Sequence, residues 1–165
     1  MADSIIDNAK GPVRAEDVLI EAGYQAFGGA LGGGIIGTLG KFTGSFFAPG
    51  LVQGAGGFMA FAGVGALAAL LKWLPDLLTR HYIENNAFLK EHPHLQEMLK
   101  NCSGLAYWSA SVAASAALVG SPVGPTLACM TLLPLVFSAV EAIVCVINAL
   151  IEQKIAAEEE SPAFA

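Results

Sequence analysis

The stretch GGALGGGIIGTLGKFTG, residues 28–44, places eight glycines in seventeen positions and carries a single charge, Lys41. Three structures could use so much glycine: a phosphate-cradling loop, a flexible linker, or a helix with another helix pressed to its backbone. Residues 32–37, GGGIIG, satisfy G-x-G-x-x-G. No strand precedes them, however, and no acidic residue follows about 20 positions on, as a dinucleotide site requires. Lys41 follows Gly40 as in a P-loop, but Ile35 stands where that motif needs glycine and Phe42 replaces its Ser/Thr. A linker would be polar, whereas this run holds Leu31, Ile35, Ile36, Leu39 and Phe42.

A helix remains. Gly29, Gly33, Gly37, Gly40 and Gly44 step by 4, 4, 3 and 4 and so form one stripe down a helical face. In water each glycine costs a helix about 1 kcal/mol relative to alanine. In lipid, close van der Waals packing against small residues drives helix association, and such a stripe becomes useful. The third apolar segment offers partners in Ala106, Ala110, Ala114, Ser111 and Ser115.

The rest of the chain points to the same solvent. Of 165 residues, 55% are hydrophobic and 13% charged, with a mean hydropathy of +0.60. Ordinary soluble domains carry about 25% charged residues. No charge falls in residues 42–71 or 101–140, intervals of 30 and 40 residues. About 20 apolar residues suffice to cross a bilayer, and a soluble chain of this size would expose a large apolar patch instead. The net charge of −6 sits mostly near the ends, and no basic patch suggests nucleic acid as a partner. The acidic N-terminus lacks the basic region of a signal peptide. Cys102, Cys129 and Cys145 form no CxxC pair, and their odd number, with two in apolar segments, argues for buried thiols over a disulfide framework.

These features predict an all-α integral membrane protein with four transmembrane helices arranged as two hairpins. The apolar segments run over residues 24–48, 51–74, 104–119 and 126–151, and are broken by APG at 48–50 and GSPVGP at 120–125. A polar N-terminal tail (1–22) precedes a glycine-rich hairpin (24–74). An amphipathic segment (75–100) leads to the second hairpin (104–151) and an acidic tail (152–165). Both turns are uncharged, while Lys10, Arg14, Lys72, Arg80, Lys90, Lys100 and Lys154 sit in or beside the two tails and the central segment, which predicts both termini on the cytoplasmic side or its organellar equivalent. The amphipathic segment is expected to lie on the membrane surface or cap the bundle. At an offset of 76 residues, Gly28, Gly44, Pro49, Phe61 and Val64 match Gly104, Gly120, Pro125, Phe137 and Val140. The hairpins are thus candidates for a parallel internal repeat about an axis along the membrane normal.

Glu141 is the sharpest single residue. It falls about ten residues before the predicted end of the fourth span, or ~15 Å of helix, and an intramembrane carboxylate is a functional candidate by default. Thr131, Pro134, Ser138, Glu141, Cys145, Asn148 and Glu152 alternate spacings of three and four, making a polar edge. Glu141 with Ser138, Cys145 and Asn148 forms the candidate ion or proton site; the competing reading is a hydrogen-bonded Glu that locks helices together. Lys41 reads as a side chain snorkelling to the opposite interface. His81, His92 and His94 do not make a metal site, no catalytic set stands out, and no cofactor is expected.

The layout resembles, in outline only, the four-span proteolipid rotor subunits of vacuolar-type ATPases, with Glu141 at the fourth-span carboxylate. The resemblance fails at the apolar hairpin turns, at the third span without a glycine run and at the long charged central segment. The expected function is a non-enzymatic membrane subunit that assembles with lipid and other membrane helices, as a homo-oligomer or in a larger complex. Two alternatives accompany it: an ion- or proton-translocating protein using Glu141, and a secreted membrane-inserting effector or pore-forming toxin, suggested by Glu158-Glu159-Glu160.

Overall fold

The computed structural model describes residues 15–159. The N-terminal residues 1–14, with Lys10 and Arg14, and the last residues of the acidic tail, 160–165, lie outside the described residues. The described chain is helical almost throughout and contains no strand. Four long helices, α1 (Ala15–Phe47), α3 (Phe58–Asn85), α5 (Pro93–Leu118) and α6 (Val123–Glu159), are joined by two short ones, α2 (Pro49–Val52) and α4 (Ala87–Lys90). Helix α1 packs against α3 and α6, and α5 completes the ring by packing against the same two helices. The result is an up-down-up-down bundle. The turns at 53–57 and 119–122 share one end, and the α4 connection lies at the other.

Local chemistry sets the breaks. Helix α1 stops before Pro49, which starts α2 at a position where its missing N–H is no loss. The following Gln53-Gly54-Ala55-Gly56-Gly57 cannot continue the helix. Gly54 takes φ +82°, a left-handed conformation that favours glycine. Gly120, at φ +70°, ends α5 in the same way, and its N–H reaches back to the Ala117 carbonyl at 3.3 Å. The second apolar segment is therefore split: Leu51 and Val52 belong to the short α2, and the long helix begins only at Phe58.

Residues 75–100 do not form a separate surface helix. They complete α3, make the short α4 and begin α5, so both inner helices of the sequence run past their apolar stretches. Asn86 caps α4 by accepting a hydrogen bond from the Leu89 N–H at 3.3 Å. The Gln96 amide donates to the Ile83 carbonyl at 3.3 Å, and Lys100 pairs with Glu84 at 2.9 Å. These contacts hold the two helical extensions together.

The core is small and lies where the four helices meet. Phe61, Val64, Ala68, Val112, Cys129 and Met130 are buried there. Outside it the bundle is apolar. Phe27, Leu31, Ile35, Leu39, Phe42 and Phe46 run exposed down α1 at steps of three and four. Phe137, Val140, Val144, Ile147 and Ile151 do the same on α6. Two helical stretches, Phe58–Asn85 and Val123–Ile151, are long and apolar enough to cross a membrane. Only 6% of the most apolar part of the latter is buried within the chain, so it is not the hidden core helix of a globular domain. Helices α1 and α5 are long enough as well, but their many glycine, alanine and serine residues, with Lys41 in α1, lower their mean hydropathy.

The matched positions of the two hairpins take different environments. Phe61 and Val64 are fully buried, whereas Phe137 and Val140 are exposed; Gly44 lies within α1, whereas Gly120 forms a turn. The identities at an offset of 76 residues therefore do not correspond to equivalent packing.

Candidate functional site

The glycine stripe lies at the seam between α1 and its two neighbours. Gly33 and Gly65 bring the backbones of α1 and α3 into contact. A β-carbon on Gly33 would stand 2.7 Å from Gly65 Cα, 2.8 Å from the Phe61 carbonyl oxygen and 3.0 Å from Met130 Cε. One on Gly29 would fall on the Gly65 carbonyl and the Ala69 side chain, and one on Gly37 on the Phe61 side chain. Farther along, a β-carbon on Gly40 would overlap the Cys129 carbonyl oxygen of α6, and one on Gly44 the Val52 side chain. The third apolar segment is not the partner: Ala106, Ala110 and Ala114 face outward, while Ser111 and Ser115 are buried within the bundle. The stripe is occupied by α3, α6 and Val52 of the same chain.

Lys41 is held within the fold. Its ammonium donates to the carbonyls of Ala55 at 2.7 Å and Gly56 at 3.0 Å, closing the glycine-rich turn back onto α1. It does not reach for an interface. It supplies donors to carbonyls that the irregular turn leaves without helical partners.

A proline sets the next contact. Pro134 has no N–H, so the Met130 carbonyl four residues earlier in α6 loses its intrahelical donor. The indole N–H of Trp108 on α5 donates to that carbonyl at 3.0 Å. In an apolar interior an unpaired carbonyl is costly, and here a side chain from the neighbouring helix satisfies it. Trp108 and Pro134 also line a cavity of about 270 Å³ among the four long helices.

That cavity is polar toward the α4 end. Lys72 and Arg80 come from α3, Lys100 and Asn101 from α5, and Ser138 from α6, while Ile36 and Leu105 are apolar parts of the wall. The carboxylates that partner the cations are not in the wall. Asp76 is buried at 8% exposure, and its Oδ2 faces both Lys72 at 3.5 Å and Arg80 at 3.3 Å. Its other oxygen, Oδ1, accepts no hydrogen bond. The Thr79 and Tyr107 hydroxyls bond at 2.8 Å and tie α3 to α5 beside this cluster.

Glu141 joins the same polar level. Its carboxylate accepts a hydrogen bond from the Asn101 amide at 2.9 Å, and the residue is exposed. It lies 18 residues after Val123 and 18 before Glu159, because α6 continues well past the apolar segment. Ser138 and Pro134 face the cavity, and Cys145 is half-buried, but Asn148 is exposed, so the predicted polar edge turns only partly inward. Thr131 Oγ1 donates to the Leu127 carbonyl of its own helix at 2.7 Å. His81 lies near the end of α3 beside Asn85, and His92 stacks on Phe88 with ring centroids 4.6 Å apart.

The cluster of Lys72, Asp76, Arg80 and Lys100 was not singled out as a site in the sequence. Its signal was the four-residue spacing of Lys72, Asp76 and Arg80, which places alternating charges on one helical face. The chain matches no protein-family model, no curated protein and no solved structure.

Proposed function

We propose that the protein is a non-enzymatic, four-span membrane subunit, with α1, α3, α5 and α6 all crossing the bilayer. The observation that carries this reading is the pairing of an apolar outer surface with an inner seam of small residues. The last helix leaves its most apolar stretch almost entirely outside the chain's own core. Exposed bulky side chains continue along α1, the helix whose stripe of Gly29, Gly33, Gly37, Gly40 and Gly44 faces inward. In water that surface would drive aggregation; in a bilayer it meets lipid or other helices.

Assembly with other membrane helices then proceeds through the bulky outer faces of α1 and α6. The glycine stripe shapes the unit and does not itself offer a docking face. The cytoplasmic side is the one with the α4 connection, since Arg80, Lys90 and Lys100 gather there. Purification of the full chain in mild detergent tests the reading. The expected result is resistance to alkaline extraction from membranes, together with a homo-oligomer or co-purifying membrane proteins. A chain released by alkaline carbonate as a soluble monomer would refute it.

A further inference from the structure

We infer that the cavity beside Asp76 binds the phosphate group of an anionic membrane lipid. The inference rests on the membrane reading above and adds a ligand to it. Three cations, Lys72, Arg80 and Lys100, stand in the cavity wall, while the carboxylates near them lie outside it: Asp76 faces Lys72 and Arg80, Glu84 pairs with Lys100 at 2.9 Å, and Glu141 accepts from Asn101 at 2.9 Å. One oxygen of Asp76 serves two of those cations, so the pair Lys72 and Arg80 shares a single negative charge. Arginine offers several N–H donors to phosphate oxygens, and the Asn101 amide stands in the same wall.

The rest of the wall selects an amphiphile over a free ion. Along α5 the lining passes from Lys100 and Asn101 through Gly104 and Leu105 to Trp108. That is a passage from charge to hydrocarbon over ~12 Å of helix rise. The charged end lies toward the α4 connection, where a headgroup would enter from the cytoplasmic leaflet. Basic pockets between membrane helices on that side are suited to anionic headgroups. A volume of about 270 Å³ admits a phosphate and the adjoining glycerol but not a whole lipid, whose chains would lie outside along the apolar helix faces.

The test uses the full chain with Trp73→Phe, so that Trp108 is the remaining tryptophan, in phosphatidylcholine vesicles. Phosphatidylglycerol with brominated acyl chains is titrated in, and a parallel series adds inorganic phosphate instead. The expected result is saturable quenching of Trp108 by the anionic lipid. Inorganic phosphate should neither change Trp108 emission nor compete with the lipid at millimolar concentration. Arg80→Gln with Lys100→Gln should weaken the lipid response about tenfold or more, as loss of charge-assisted hydrogen bonds implies. Lys90→Gln, which removes a charge outside the cavity, should leave it unchanged. Because the double variant also breaks ion pairs, Gly104→Leu serves as a second probe: it fills the cavity, keeps every charge and should abolish the saturable response. Equal quenching in all variants, loss of quenching in Lys90→Gln to the same extent, or saturation by inorganic phosphate alone would each overturn the inference. Failure of the membrane reading would show separately, as protein released from the vesicles by alkaline carbonate.

Discussion

Gly32 and Gly33 are neighbours on α1 with opposite surroundings, and substituting each with alanine isolates the contribution of the seam. Both changes gain the same helix propensity, about 0.8–1.0 kcal/mol. At Gly32 nothing lies within 4 Å of the added methyl, so Gly32→Ala should stabilise by up to that amount. At Gly33 the methyl would meet Gly65 Cα at 2.7 Å and the Phe61 carbonyl at 2.8 Å. Both are backbone atoms that no rotamer change can move, so α1 and α3 must separate. Overpacking of this kind costs about 1–3 kcal/mol. Propensity cancels between the two variants, so the difference between them should be about 1–3 kcal/mol. For a chain of this size that is roughly 2–12 °C in the unfolding midpoint. Gly40→Ala, aimed at the Cys129 carbonyl, should be at least as damaging as Gly33→Ala. Gly34→Ala faces the half-exposed Phe58 ring, which can rotate aside, and should fall between the extremes. The assay is thermal unfolding in mild detergent, followed by loss of the monodisperse peak on size exclusion. Equal midpoints for Gly32→Ala and Gly33→Ala would refute the assignment of the stripe to an internal backbone seam.

Trp108→Phe should cost about 1–3 kcal/mol by leaving the Met130 carbonyl unpaired. Adding Pro134→Ala restores an N–H four residues on and should recover part of that loss, so a double-mutant cycle in the same assay should show a coupling of about 1 kcal/mol. Lys41→Met should speed hydrogen exchange across residues 53–57, read by mass spectrometry, while leaving the buried part of α3 unchanged. Glu141→Gln keeps an acceptor for the Asn101 amide and should leave ion flux into reconstituted vesicles at the wild-type level. A fall in flux would support the translocation reading instead.

The helical segments were legible because charge is so unevenly spread: two long uncharged intervals and two turn-rich breaks mark out the hairpins. The glycine spacing also marked which face of α1 would be close-packed. What it meets was not legible, since Gly65 and Cys129 come from other helices and only the bundle's assembly brings them to Gly33 and Gly40. Helix α3 overran its predicted end because Lys72, Asp76 and Arg80 satisfy one another at helical spacing, so polarity did not interrupt the helix. The sequence offered a hydrogen-bonded Glu141 that locks helices together but could not name its partner, since Asn101 is 40 residues away. Pro134 looked like one point on a polar edge, yet its missing N–H is what gives Trp108 a role.

The two stretches apolar enough to cross a membrane are the second helices of their respective hairpins. Each follows a helix built largely from small residues. On the four-span reading proposed above, the small-residue faces of α1 and α5 are filled by the long helix that follows each of them in sequence. Gly29 and Gly33 find Gly65 only once α3 has entered, and Trp108 finds the Met130 carbonyl only once α6 has. The hairpin, not the single helix, is therefore the smallest piece of this chain in which the Gly29 and Gly33 backbone and the Met130 carbonyl find their partners.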